Sequence, residues 1–255
     1  MVFKLLVLFF TPLLSGLLIY LVPKGNRTNF KLLLVFAGAY LFAITVIHIL
    51  PELYIQHSQF PFIGLFVLAG FFLQQLLEFF TSGVEHGHIH THESHEHHHG
   101  HQPGHQKNLS AMILLLALCI HAFLEGGMLA QPEGLIQVYD MNAILLGIAL
   151  HRAPAAFALM TVLAFQLQSR NKAVPYLLGF SVAAPIGLLI STFLTSNNIL
   201  SQTGLFYLYA LVSGNFLHIS TTIVFESSPE HRFNAKKMVV AVFGSLVAVV
   251  VQMMI

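Results

Sequence analysis

The chain has 255 residues, 56% of them apolar and only 8% Asp, Glu, Lys or Arg, with a mean hydropathy of +0.77. Soluble domains carry roughly 25% charged residues, so this composition excludes a water-covered globular fold, and the single cysteine, Cys119, excludes a disulfide scaffold. A formal net charge of +1 offers no basic face for a nucleic acid, whereas sixteen histidines against eleven Lys and Arg give an unusual stock of metal-ligating side chains.

A helix needs about 20 mostly apolar residues to cross a bilayer, where it must satisfy its own backbone. Eight stretches qualify, so the expected fold is all-α, a single polytopic membrane domain over residues 1–255. Leu5–Val22 has no small-residue cleavage site after it and reads as a retained helix. Leu32–Leu50 runs into HILPE at 48–52, which brings His48 and Glu52 to its end. Phe62–Phe80 carries Gln74, Gln75 and Glu78, where Glu78 is either a guide for an ion or part of a plain interfacial face.

The longest connection, 81–109, holds His86, His88, His90, His92, His95, His97, His98, His99, His101 and His105. Such a segment has too little apolar surface to bury a core, and reads as disordered and metal-binding. Ala111–Ala130 follows, with His121 and Glu125 four residues apart and therefore on one helix face. Met141–Leu163 brings His151, Arg152 and Pro154. Counting from the ends that face each other across the short connection, His121 and His151 both lie roughly 15 Å deep at 1.5 Å per residue. His121, Glu125 and His151 are thus expected at one level, a usable part of a Zn2+ site. Pro154 lacks the N–H that the carbonyl of Leu150 would use, so a kink is expected beside His151.

An ionisable residue in mid-membrane is costly and reads as functional. Arg152 either balances Glu125, snorkels, or pairs with another helix. Tyr176–Leu194 carries no charge; Gly204–Phe225 carries His218, either a further ligand on the ion's path or a helix–helix hydrogen bond; Met238–Ile255 is the eighth stretch. Nine of the eleven basic residues fall on the side of the connections 23–31, 81–110, 164–175 and 226–237, while 51–61, 131–140 and 195–203 have none. Cytoplasmic loops are the basic ones, so the His-rich segment is expected in the cytoplasm and both termini outside.

HAFLEG at 121–126 and HRAP at 151–154 resemble the fourth- and fifth-span signatures of the ZIP family of divalent-metal transporters. HILPE at 48–52 and GNFLHIS at 214–220 resemble that family's second- and seventh-span segments, in the same order along the chain. The resemblance implies uptake of Zn2+, or of Fe2+, Mn2+, Co2+ or Cd2+, through a plasma membrane or bacterial inner membrane. It gives metal-ligand roles to His121, Glu125 and His151, and an outer-entrance role to His48 with Glu52 beside it. Two positions depart from the pattern: Arg152 stands where an acidic ligand of a second metal is often found, and Ala122 where Asn or Ser is frequent. A guanidinium stays charged and repels a dication, so one metal is expected.

The expected partners are the metal ion and the lipid bilayer; pairing of two copies stays open, and no organic cofactor is implied. The competing reading is a membrane-embedded zinc hydrolase built on the same three ligands. It needs a free carboxylate as general base, and no other acid lies near the midplane.

Overall fold

A computed structural model describes residues 1–21, 28–55, 61–81, 103–130, 141–226 and 235–254. The described residues are helical, without a strand. In chain order the helices are α1 Val2–Leu17, α2 Thr28–Ile44, α3 Leu50–Ile55, α4 Ile63–Thr81, α5 Pro103–Met128, α6 Met141–Gln166, α7 Arg170–Ser196, α8 Gln202–Glu226 and α9 Ala235–Met254. A 3-10 turn, Leu18–Tyr20, ends α1, and a π turn, Thr45–Ile49, joins α2 to α3.

Among the described residues, six helical segments are long and apolar enough to cross a membrane: Val2–Tyr20, Leu32–Ile55, Ile63–Phe80, Met141–Gln166, Arg170–Ser196 and Ala235–Met254. Met112–Met128 is a shorter apolar stretch within α5. Polarity is inverted relative to a water-soluble protein. Phe79 is 79% exposed and Phe72, Leu65, Phe243 and Val239 are also outward-facing, while Asn215, Gln74 and Ser213 are fully buried. Five hydroxyls inside are satisfied within their own helix: Thr45, Ser181, Ser213, Ser220 and Thr222 each donate to the carbonyl four residues back.

Two helix starts extend past the expected spans, for local reasons. α5 begins at Pro103, because proline suits the first helical position, where no N–H is needed. This helix takes in the end of the segment expected to be a loop, and residues 82–102 lie outside the described residues. α7 begins at Arg170, capped by Ser169, whose hydroxyl accepts from the Lys172 N–H at 3.4 Å.

Packing sorts the helices into two groups. α1, α5, α6 and α7 pack on one another, with α5 against α7 and α1 against both α6 and α7. The other group is α2, α3, α4, α8 and α9, with α4 against α8 and α2 against α9. Close approach in each group rests on a glycine pair. A Cβ on Gly126 would overlap the Ala184 carbonyl and one on Gly187 the Phe123 carbonyl, so α5 and α7 touch backbone to backbone. Gly70 against Leu211 and Gly214 against Val67 do the same for α4 and α8.

Candidate metal centre

His121 and Glu125 project from consecutive turns of α5, and α6 brings His151 beside them. One ligating atom from each lies within 4.8 Å of the others. His121 Nε2 stands 3.1 Å from Glu125 Oε1, and the two imidazole rings meet edge to face at a centroid distance of 6.0 Å. All three are buried, at 3%, 0% and 1% exposure. Among the described residues this is the group of three or more His, Cys, Asp or Glu close enough to hold a metal ion. In a tetrahedral zinc site, neighbouring ligand atoms are about 3.4 Å apart, given bonds of about 2.1 Å. The 3.1 Å between His121 and Glu125 is already that close, and with all three ligand atoms within 4.8 Å no pair has to close by more than about 1.4 Å, within reach of side-chain rotation. Three protein ligands leave a fourth position open for exchange.

The backbone around the cluster is built for this placement. Gly126, next to Glu125, lets α7 approach the turn that carries the carboxylate. On α6 the helix runs through Pro154, and Ser15 of α1 donates a hydrogen bond to the Ala153 carbonyl beside it. Gly147, one turn before His151, gives room for the Tyr40 ring of α2.

Arg152 is 1% exposed, an extreme position for a guanidinium. Its Nη1 lies 3.8 Å from Glu125 Oε2, its Nη2 donates to the Phe180 carbonyl at 3.0 Å, and the cation sits 4.7 Å from the Phe180 ring centre. Of the three readings open for Arg152, the structure shows pairing with Glu125 and anchoring on α7. The two carboxylate oxygens are divided, Oε1 towards His121 and Oε2 towards Arg152. An ion on the Oε1 side would thus meet a carboxylate already neutralised from behind.

Other sequence candidates lie apart from the cluster. His48 is buried within the π turn, and Glu52 follows on α3, partly exposed. His218 is drawn to Glu78 instead of the three ligands: Nδ1 stands 3.4 Å from Glu78 Oε2, with the Phe71 ring edge-on at 4.8 Å. Cys119 is half-buried on α5. Of the loop histidines, His86 through His101 lie outside the described residues, and His105 falls in the first turn of α5. Phe180 and Ser15 are positioning residues that sequence reasoning missed; a backbone carbonyl acceptor leaves no trace in residue type. The π turn had a signal in Pro51, whose missing N–H disturbs the ladder one turn earlier.

Residues 82–252 match the family model described as ZIP zinc transporter. A "Zinc transporter ZIP9" of Macaca fascicularis is 34% identical over 116 residues, covering 43% of this chain and 48% of that protein. Another "Zinc transporter ZIP9", from Micropogonias undulatus, is 31% identical over 170 residues, covering 64% of this chain and 50% of the relative. "Protein zntD" of Dictyostelium discoideum is 26% identical over 159 residues, 60% of this chain and 22% of that one. The chain thus spans about half the length of the first two relatives it matches. With the family model covering most of its length, the chain belongs to the ZIP zinc transporter family.

Proposed function

We propose that the protein moves Zn2+, or a similar divalent ion, across a membrane into the cytoplasm by alternating access, with His121, Glu125 and His151 as the transient ligands. The observation that carries this reading is the convergence of those three buried side chains on two adjacent helices. Family membership favours transport over the hydrolase reading, and zinc is the ion in the names of the ZIP9 relatives. Two imidazoles and a carboxylate also suit Fe2+, Mn2+, Co2+ and Cd2+.

The eight-span arrangement with both termini outside rests on the eight apolar stretches and on the basic connections, which place the His-rich segment in the cytoplasm. In this frame His48 and Glu52 lie towards the outer end of their span and serve the entrance. His218 sits about 24 Å from the start of α8, against about 15 Å for His151 in α6, at 1.5 Å per residue. That depth supports a role for Glu78 and His218 on the inner side of the route, with the histidines of 86–105 receiving the ion beyond it.

The two packed groups give the motion its bodies: α1, α5, α6 and α7 carry the ligands, and the other group supplies the surface they move against. Charge sets the stoichiometry. Glu125 and Arg152 cancel in the empty site, and one dication leaves about two positive charges in a low dielectric, so a second ion is strongly disfavoured. Transport of radioactive zinc into liposomes by the reconstituted protein tests the reading. His121→Ala, Glu125→Ala and His151→Ala should each abolish flux while insertion and folding persist; near-normal flux in two of the three refutes the assigned site.

A further inference from the structure

Two tyrosines cross from one helix group to the other at the same end of the molecule. Tyr209 of α8 donates to the Ala130 carbonyl at 2.7 Å, and Tyr40 of α2 donates to the Ala143 carbonyl at 3.2 Å. Both acceptors belong to the ligand-bearing group. Ala130 lies just past the end of α5, and Ala143 lies in the first turn of α6. The two bonds thus hold both ends of the connection between the helices that carry His121, Glu125 and His151. Both rings are buried, Tyr40 at 0% and Tyr209 at 5% exposure. By contrast, the bonds from Lys4 to Leu129, Ser15 to Ala153, Tyr20 to Asn171 and Arg152 to Phe180 lie within one group, and that from Ser245 to Ala39 within the other.

The chemistry at Ala130 suits a releasable tie. The last carbonyls of a helix have no partner in their own helix, so a phenol that leaves them can be replaced by water when that end opens. A permanent joint between groups would be made of close-packed backbone, as the glycine pairs are within each group.

We propose that Tyr40 and Tyr209 form a paired latch that holds the two helix groups together at the end carrying residues 131–140, so that the ion site opens towards that end only when both hydroxyls let go. This rests on the alternating-access reading for its role in transport, but not for its existence. A net hydrogen bond of ordinary strength shifts a two-state population roughly three- to fivefold. Two independent ones shift it roughly ten- to twenty-fivefold.

The test is amide hydrogen exchange by mass spectrometry on the full-length protein in lipid nanodiscs, comparing Tyr40→Phe, Tyr209→Phe, the double variant and Ser245→Ala. Each phenylalanine variant keeps the ring and loses only the hydroxyl. Exchange at 126–130 and 141–147 should rise roughly three- to fivefold in the single variants and roughly ten- to twenty-fivefold in the double. Exchange elsewhere should stay constant, and Ser245→Ala should leave both segments unchanged. Unchanged exchange in the double variant, or a uniform rise across all helices, overturns the latch. If exchange rises as expected but the unmutated protein carries no zinc into liposomes, the latch stands and the transport reading falls.

Discussion

Replacing Arg152 by glutamine removes one charge from behind the carboxylate while keeping donors for the Phe180 carbonyl. With Arg152 Nη1 3.8 Å from Glu125 Oε2, an ion on the far oxygen stands about 6–7 Å from the guanidinium, given metal–oxygen bonds of about 2.1 Å. At an effective dielectric of about 20, the repulsion between a unit charge and a dication at that distance is about 5 kcal/mol. Water drawn into the space left by the guanidinium, together with relaxation of the site, offsets much of this. A net gain of about 1.5–3 kcal/mol corresponds to roughly ten- to a hundredfold tighter binding. Arg152→Gln is therefore expected to lower the half-saturating zinc concentration and, because a tightly held ion leaves slowly, to lower the maximal rate with it. Concentration-dependent uptake in proteoliposomes measures both quantities, and equilibrium zinc binding to the purified protein checks the affinity without transport. An unchanged or raised half-saturation with weaker equilibrium binding would show that Arg152 supports the ligands instead of opposing the ion.

His48→Ala is expected to weaken apparent affinity at low external zinc more than it lowers the maximal rate, since an entrance ligand concentrates ions without holding them through the cycle; an unchanged concentration dependence counts against that role. Deleting residues 85–105 should leave flux measurable, because on the proposed route the histidines there meet only ions that have already crossed; complete loss of flux from a correctly inserted deletion overturns the division of labour. Gly126→Ala should lower the thermal unfolding midpoint by forcing α5 off the Ala184 carbonyl, at a cost of about 1–3 kcal/mol. Gly179→Ala, where an added Cβ meets only the Leu115 side chain at 3.8 Å, should unfold near the unmutated midpoint, and equal shifts in the two variants would refute the close-contact argument.

The clustering of the three candidate ligands was legible because its signals are local. His121 and Glu125 share a face through their spacing alone, and His151 follows from counting turns inward from a short connection. The surroundings depend on which helix lies opposite, which no spacing within one segment encodes. Arg152 illustrates the limit: its charge marked it for a partner in the bilayer, yet choosing Glu125 and the Phe180 carbonyl required α7 to be in place. His218 is similar, since its pairing with Glu78 depends on α4 lying against α8. Helix starts run past the expected spans because those spans were bounded by apolar residues, and the polar first turns of α5 and α7 lie outside them. Pro103 opens α5, and Pro175 sits inside α7 downstream of the Ser169 cap.

The close contacts of Gly126 with Ala184 and of Gly187 with Phe123 have a practical use for measuring movement. At Gly126 and Gly187 carbonyls and glycines stand in direct opposition, so the two backbones interlock there with no side chain between them. Any displacement of the carboxylate on α5 must then be shared by α7 as a rigid companion. Phe193 and Ile190 of α7 point outwards, at 62% and 42% exposure, well away from the ligands in sequence. A spectroscopic label at either place would follow the proposed ion carrier through its stroke while the candidate ligands remain untouched.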